Sequence, residues 1–374
     1  MHFGTTGFLR SGLKISAVVA VLCAIGYAQN TPSAQSSPAA PPPAAWDPDY
    51  GPPRTAAPPP SAQEPAGQPG EQQPAGQDQQ APITAEKSSD DSGRFVFRKQ
   101  VQEIVLHATV ADEAGRLVTS LDRSAFSISV NNVPEPITSF RREDVPVALG
   151  IVIDNSGSMR DKREKVSQAV LNLIRASNPQ DEVFVVNFSE TPFLDQDFTS
   201  DVGLLQTALH QVSSRGSTAL YDAVVASAVH LRENPRLTKK VLLVITDGQD
   251  NMSQETLQDA IRKLQPNQGT QPNQGATIYA IGLTSGGMTR SGREALQSLA
   301  KSTGGVAFFP KSLDEVDEIT RTVAHDIRSQ YTLAFKPGPA KAGYQAIHVE
   351  AKGPARTRLM VRTQSGYYPG EAVR

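Results

Sequence analysis

The sequence predicts an α/β fold over residues 146–330: a doubly wound, mostly parallel sheet with helices on both faces. Two apolar runs, 147–153 and 240–246, are nearly continuous, as strands buried on both sides must be. Between and after them, segments with apolar residues at helical spacing alternate with short apolar runs, the order that parallel strands joined by crossover helices require. Each of the two long runs is followed directly by an aspartate, Asp154 and Asp247, so two strand ends carry a carboxylate.

Residues 147–153 are the first strand. Residues 159–177 follow as a helix, with Val166, Ala169, Val170, Leu173 and Ile174 on one face. Residues 183–188 are rich in valine and phenylalanine and read as a strand. Helices at 202–212 and 219–231 lead to the strand at 240–246. A helix at 257–264, a strand at 276–281, a helix at 294–301 and a strand at 306–309 continue the alternation. A last helix carries Leu313, Val316, Ile319, Val323 and Ile327 at helical spacing. One insert interrupts the pattern: Gln265-Pro266-Asn267-Gln268-Gly269 recurs as Gln271-Pro272-Asn273-Gln274-Gly275, a surface loop.

The segments on either side change to period two. Strands are expected at 101–110, 126–130 and 137–140, with turns at 113–116 and 131–134, and again at 331–335, 346–350 and 358–362. Three short strands bury too little surface to fold alone. Residues 94–145 and 331–374 are therefore expected to pair into one small β domain beside the α/β domain of 146–330.

The first 28 residues read as a secretory signal peptide: Arg10 and Lys14, an apolar run at 15–25, then Gly26-Tyr27-Ala28 as a small-x-small cleavage site. The run is shorter than the ~20 residues of a comfortable membrane span. An uncleaved anchor is the alternative, and would be the chain's only membrane contact. The single cysteine, Cys23, lies in this segment, so cleavage after Ala28 leaves a chain that cannot form disulfides. Residues 29–93 are Pro, Ala, Gln, Gly and Ser with more than half of the 28 prolines, a disordered linker that suits a tether. Together these place the folded part outside the cytoplasm, in a periplasm or at a cell surface. The net charge of −2 gives no basic face for nucleic acid.

The chemistry is concentrated in three segments: Asp154-Asn155-Ser156-Gly157-Ser158, Ser217-Thr218 and Asp247-Gly248. In open α/β sheets ligands gather beyond the carboxyl ends of the strands, where strand order reverses. If the two aspartate-bearing strands are neighbours there, both carboxylates face one crevice. Ser156 and Ser158 alternate past Asp154, so an extended loop turns both to one side, and Gly157 lets that loop curl. Thr218 adds a hydroxyl from the start of a helix. Two carboxylates and three hydroxyls are all oxygen donors, which suits Mg²⁺, with Mn²⁺ or Ca²⁺ as alternatives, better than Zn²⁺ or copper. Such an ion would keep waters that an incoming carboxylate can replace. Each residue also has a duller reading. Asp154 and Asp247 can end strands, Ser156, Ser158 and Thr218 can cap helices, Asp222 and Asp250 read as solvated acids, and Met159 can pack or lie beside the site.

Asp154-x-Ser156-x-Ser158 with Thr218 and Asp247 resembles the metal-ion-dependent adhesion site of von Willebrand factor type A domains, and the surrounding residues resemble the secreted branch found in acidobacterial proteins. The resemblance spans about 146–330. It implies a six-stranded doubly wound sheet, a divalent cation held by Asp154, Ser156, Ser158, Thr218 and Asp247, and a protein or matrix partner presenting a carboxylate.

Three functions then compete. The first is a secreted or surface-tethered binding module. The second is a structural cell-envelope protein whose site is vestigial or only stabilising. The third, a metal-dependent hydrolase or phosphotransfer enzyme, lacks support: there is no Gly-x-x-x-x-Gly-Lys-Ser/Thr loop and no His-Glu-x-x-His motif, Ser156 is not in a Gly-x-Ser-x-Gly elbow, and the six histidines are scattered. No enzymatic activity is expected.

Overall fold

The computed structural model describes residues 103–142, 144–210, 214–234, 236–266, 275–283, 288–338, 342–353 and 359–369. The expected signal peptide and linker, the start of the first flanking segment and most of the Gln-Pro-Asn-Gln-Gly insert lie outside the described residues.

The N-terminal flank forms β1 (Ile104–Ala111), β2 (Phe126–Val130), β3 (Val133–Glu135) and β4 (Ile137–Arg141). The middle of the chain then runs β5 (Val147–Asp154), α1 (Arg163–Arg175), β6 (Glu182–Phe188), β7 (Pro192–Thr199), α2 (Val202–His210), α3 (Leu220–Glu233), β8 (Lys239–Thr246), α4 (Leu257–Leu264), β9 (Thr277–Gly282), α5 (Arg290–Thr303), β10 (Ala307–Phe308) and α6 (Val316–Arg328). The C-terminal flank supplies β11 (Tyr331–Phe335), β12 (Gln345–Ala351), β13 (Met360–Arg362) and β14 (Gly366–Tyr367).

Six strands of the middle form one sheet in the order β10-β9-β8-β5-β6-β7, parallel except for β7. The chain leaves β5 for β6 on one side and β8 for β9 on the other, so strand order reverses between β5 and β8. Every residue of β5 and of β8 is buried. Leu149, Ile151 and Ile153 pack with Val166 and Val170 of α1, Leu205 of α2 and Val323 of α6. On the other face Ala148 and Val152 meet Val224 of α3, Leu264 of α4 and Leu299 of α5. Gly150 is what lets Phe184 of β6 cross this second face: a Cβ there would lie 2.4 Å from Phe184 Cζ and 2.5 Å from Leu242 Cδ2. No helix among the described residues is long and apolar enough to cross a membrane.

The two flanking segments do combine. One four-stranded sheet runs β13-β1-β11-β4 and the other β14-β12-β2-β3, so each mixes strands from both ends of the chain. Leu106, Leu333 and Phe335 of the first sheet share a core with Phe126, Ile128 and Val349 of the second. Polar contacts fasten this β domain to the α/β domain: Thr109 Oγ1 donates to Asp326 Oδ1 at 2.8 Å, and Arg362 reaches Asp326 Oδ2 at 2.8 Å.

Four expectations are corrected. Residues 131–134 are not all turn: Asn131 and Asn132 take left-handed φ values of 48° and 66°, and Val133 and Pro134 then pair with β2 as a strand. The sheet's sixth strand, β7, was not located by pattern, because Pro192, Asp195 and Asp197 break both apolar continuity and strict alternation. It is an antiparallel edge strand with register shifts against β6. Helix α1 starts at Arg163 rather than 159, since Gly157–Met159 closes into a 3₁₀ turn that buries Met159 completely. Helix α5 starts at Arg290 rather than 294, because the Thr289 hydroxyl accepts from Gly292 N at 3.1 Å and caps it there.

Candidate metal centre

Asp154 ends β5 and Asp247 follows β8, and the two strands are adjacent, with Ile153 opposite Ile245. Both aspartates therefore sit at the carboxyl edge of the sheet where its strand order reverses. Asp154 is fully buried and Asp247 is 5% exposed. Ser156 N–H donates to Asp154 Oδ1 at 2.8 Å, Ser156 Oγ lies 3.1 Å from Ser158 Oγ, and Ser158 Oγ donates to Asp247 Oδ1 at 2.8 Å. A Cβ on Gly248 would lie 3.3 Å from Thr218 Oγ1 and 3.7 Å from Asp154 Oδ2, so those two oxygens border the same small volume. All five predicted residues come together here.

The means differ from the extended loop read from the sequence. Ser156 is extended, but the 3₁₀ turn behind it brings Ser158 back alongside. Gly157 has no left-handed φ, and a Cβ there would meet nothing within 4 Å, so neither strain nor packing requires glycine at this position. The serines cap no helix through their side chains at this turn. Nor is Thr218 the cap of α3: Asp250 Oδ1 takes that role, accepting from Leu220 N at 2.8 Å and Tyr221 N at 3.3 Å. Asp222 in turn accepts from Gln254 N at 3.0 Å and Glu255 N at 2.9 Å. Both acids are thus structural ties between α3 and the loop after β8, not solvated side chains.

Sequence reasoning did not single out the residues that hold the five in place. Thr246 Oγ1 donates to Asp154 Oδ2 at 2.5 Å. Asn251 clamps Thr218 twice, its Oδ1 accepting from Thr218 N and its N–H donating to Thr218 O, each at 3.0 Å. Asn155 O accepts from Arg215 N at 2.8 Å and Gly157 N donates to Gly216 O at 3.3 Å, tying the serine loop to the segment that carries Thr218. Gly216 has φ +82°, where a side chain would be strained. Thr246 and Asn251 adjoin or follow Asp247 closely, and their polar side chains beside a candidate ligand were the available signal.

Lys162 was also missed. Its ammonium donates to Ser158 O at 3.0 Å and forms an ion pair with Asp247 Oδ2. Arg163 is buried beside it. None of its guanidinium nitrogens has a hydrogen-bond partner among the described residues, and its charge is felt by Asp195 and Asp154. Burial pushes the Asp154 carboxyl above its usual range, hydrogen bonds from Thr246 and Ser156 pull it back, and the charge of Asp247 adds to the rise. Burial likewise lifts Asp195 to about 6, against the Asn187 donors and Arg163.

This donor set fits a small hard cation. A six-coordinate Mg²⁺ with bonds of ~2.1 Å keeps neighbouring ligand oxygens about 3 Å apart. The serine and Asp247 oxygens stand 2.8–3.1 Å from one another. The same spacing serves hydrogen bonds, so the geometry is compatible with ion-free and ion-bound forms alike. Among the described residues no group of three or more His, Cys, Asp or Glu side chains that could hold a metal comes together, so neutral oxygens (hydroxyl, carbonyl or water) would complete any cation site here.

A doubly wound sheet with such an oxygen cluster at its switch point defines a class of ligand-binding α/β domain. Residues 149–249 match the von Willebrand factor type A domain family. Such domains mediate protein–protein interactions and often carry a metal at the adhesion site. No curated protein matches the chain significantly. Similar solved structures include a von Willebrand factor type A protein from Catenulispora acidiphila, with 14% identity, 74% of this chain and 76% of that chain covered, and a TM-score of 0.42. Proximal thread matrix protein 1 from the mussel byssus, in a form with a zinc-occupied adhesion motif, matches at 18% identity over 54% of this chain and 50% of its own, with a TM-score of 0.41. The PilB minor pilin of Streptococcus sanguinis matches at 14% identity over 52% and 63%, with a TM-score of 0.39.

Proposed function

We propose that this protein is a secreted or surface-tethered binding module that uses a divalent cation, Mg²⁺ by preference and Mn²⁺ or Ca²⁺ as substitutes, to recruit an acidic residue of a protein or matrix partner. Asp154, Ser156, Ser158, Thr218 and Asp247 are the proposed ligands. The observation that carries the reading is the meeting of these oxygens at the reversal point of the sheet, with Asp154 buried and its charged form under-supported. A dication would restore that support, and two carboxylates against two positive charges leave a neutral centre with room for a partner's carboxylate. The linker of 29–93, by its composition, would serve as a tether.

Binding rather than catalysis is favoured because, among the described residues, no histidine side-chain hydrogen bond reaches the centre. His230 contacts Asp197, His107 contacts Thr332 and His348 contacts Glu350, and none of these partners belongs to the centre. A second reading, a structural envelope protein with a vestigial centre, draws on one observation: Lys162 already neutralises Asp247. Titration calorimetry with Mg²⁺ separates the two. Heat from wild type that vanishes in Asp154→Ala supports the binding module, and equal heats from both proteins end it. Capture of surface extracts with and without chelator would then identify the partner.

A further inference from the structure

The connection between the serine turn and α1 puts a cation of the protein's own on the candidate centre. Lys162 is 9% exposed, and its ammonium contacts Ser158 O and Asp247 Oδ2. Both carboxylate oxygens of Asp247 have a partner in this arrangement, one paired with Lys162 and the other accepting from the Ser158 hydroxyl at 2.8 Å. Arg163 adds a second positive charge on the side of Asp154. An ammonium removed from water needs a counter-charge, and here it has one. A dication held by Ser158 and Asp247 would stand a few ångströms from that ammonium and repel it. Both cannot rest on the same carboxylate without a large electrostatic cost.

We infer that Lys162 is a built-in competitor for the metal: its ammonium and the divalent cation exclude one another at Asp247, so that metal entry expels the Lys162 side chain to the surface beside the site. This rests on the metal reading above. It makes the centre self-neutralised without an ion, and it couples ion binding to the appearance of a positive charge on the face that would meet an acidic partner.

Two measurements test it. In the first, wild-type protein is acetylated with an N-hydroxysuccinimide ester with and without saturating Mg²⁺, and the rate at Lys162 is read by mass spectrometry against Lys165, whose side chain is 57% exposed. The ratio of Lys162 to Lys165 modification rises about tenfold or more with Mg²⁺, as expected when a pair stronger than a surface salt bridge is broken, and does not rise in Asp154→Ala. In the second, Lys162→Gln binds Mg²⁺ about tenfold or more tightly than wild type in calorimetry, because the competitor is gone. Uptake by Lys162→Gln but not by wild type also supports the inference. Equal Mg²⁺ affinities, with Lys162 equally protected in both states, overturn it and leave the metal reading standing. If neither protein takes up Mg²⁺, the metal reading fails and the competition with it.

Discussion

The Lys162–Asp247 pair can be tested without any ion present, and the structure sets its size. The Asp247 side chain is 1% exposed and that of Lys162 11%, so this is a buried pair, outside the range of surface pairs, which contribute about 0–1 kcal/mol. Removing one member leaves the other desolvated without its counter-charge, which costs about 3–5 kcal/mol. Lys162→Met keeps the aliphatic stem and strands the carboxylate, which retains only the Ser158 hydroxyl. Asp247→Asn keeps an acceptor for Ser158 and strands the ammonium, which retains the Ser158 carbonyl. The double variant has no stranded charge, so its loss falls well short of the sum of the single losses, with a coupling energy of about 2–3 kcal/mol. Urea unfolding in EDTA, followed by circular dichroism, measures all four corners of the cycle. Strict additivity, or single losses below about 0.5 kcal/mol, would refute the idea that this pair neutralises the centre.

Other consequences are open to simpler measurements. Thr246→Val removes the donor that orients Asp154 and lowers Mg²⁺ affinity by about tenfold or more in calorimetry, with secondary structure unchanged. Gly150→Ala forces a methyl group against Phe184 and Leu242 and lowers the urea midpoint by the equivalent of about 1–3 kcal/mol; an unchanged midpoint would show that the second face of the sheet is looser than its spacing implies. Burial, reinforced by the charge of Lys239, holds His107 down at about 3. The unfolded chain therefore takes up the proton first, and stability is lost as pH falls below about 6.5 toward 3. His107 is only partly buried by area, so between pH 7.5 and 5 wild type loses at most about 2 kcal/mol more than His107→Gln. Equal losses in the two proteins would contradict this.

What was legible in the sequence follows from where the signals are local. Strands β5 and β8 are buried on both faces, so their composition announces them. The aspartate at each end is then fixed to the sheet's edge, and Ser156 and Ser158 follow within one turn. Thr218 was legible as a hydroxyl at the start of a helix and as part of a motif, but not the ties that place it beside the aspartates, which run through Asn251 and between distant segments. Strand β7 was hidden because an edge strand with Pro192, Asp195 and Asp197 has one neighbour and no need of an apolar pattern. The helix that begins at Arg163 looked longer because residues 159–162 include Met159, apolar and buried but held in a 3₁₀ turn. Lys162 could not be read at all: a lysine among Arg160, Asp161 and Arg163 looks like part of a solvated face, and only the closing of the turn brings its ammonium onto Asp247. The pairing of the two flanks was legible in outline, because neither has enough strands to fold alone, but their division into two sheets that each draw on both ends was not.

The central claim is spatial, and a scattering ion tests it directly. Crystals soaked in Mn²⁺, measured for anomalous differences, should show one peak about 2.2 Å from the directly coordinating oxygens of the Asp154, Ser156, Ser158, Thr218 and Asp247 group, with any remaining member of the group reached through a bound water and the Lys162 ammonium withdrawn from Asp247. No peak there at saturating Mn²⁺, or a peak elsewhere with Lys162 still on Asp247, would contradict the account.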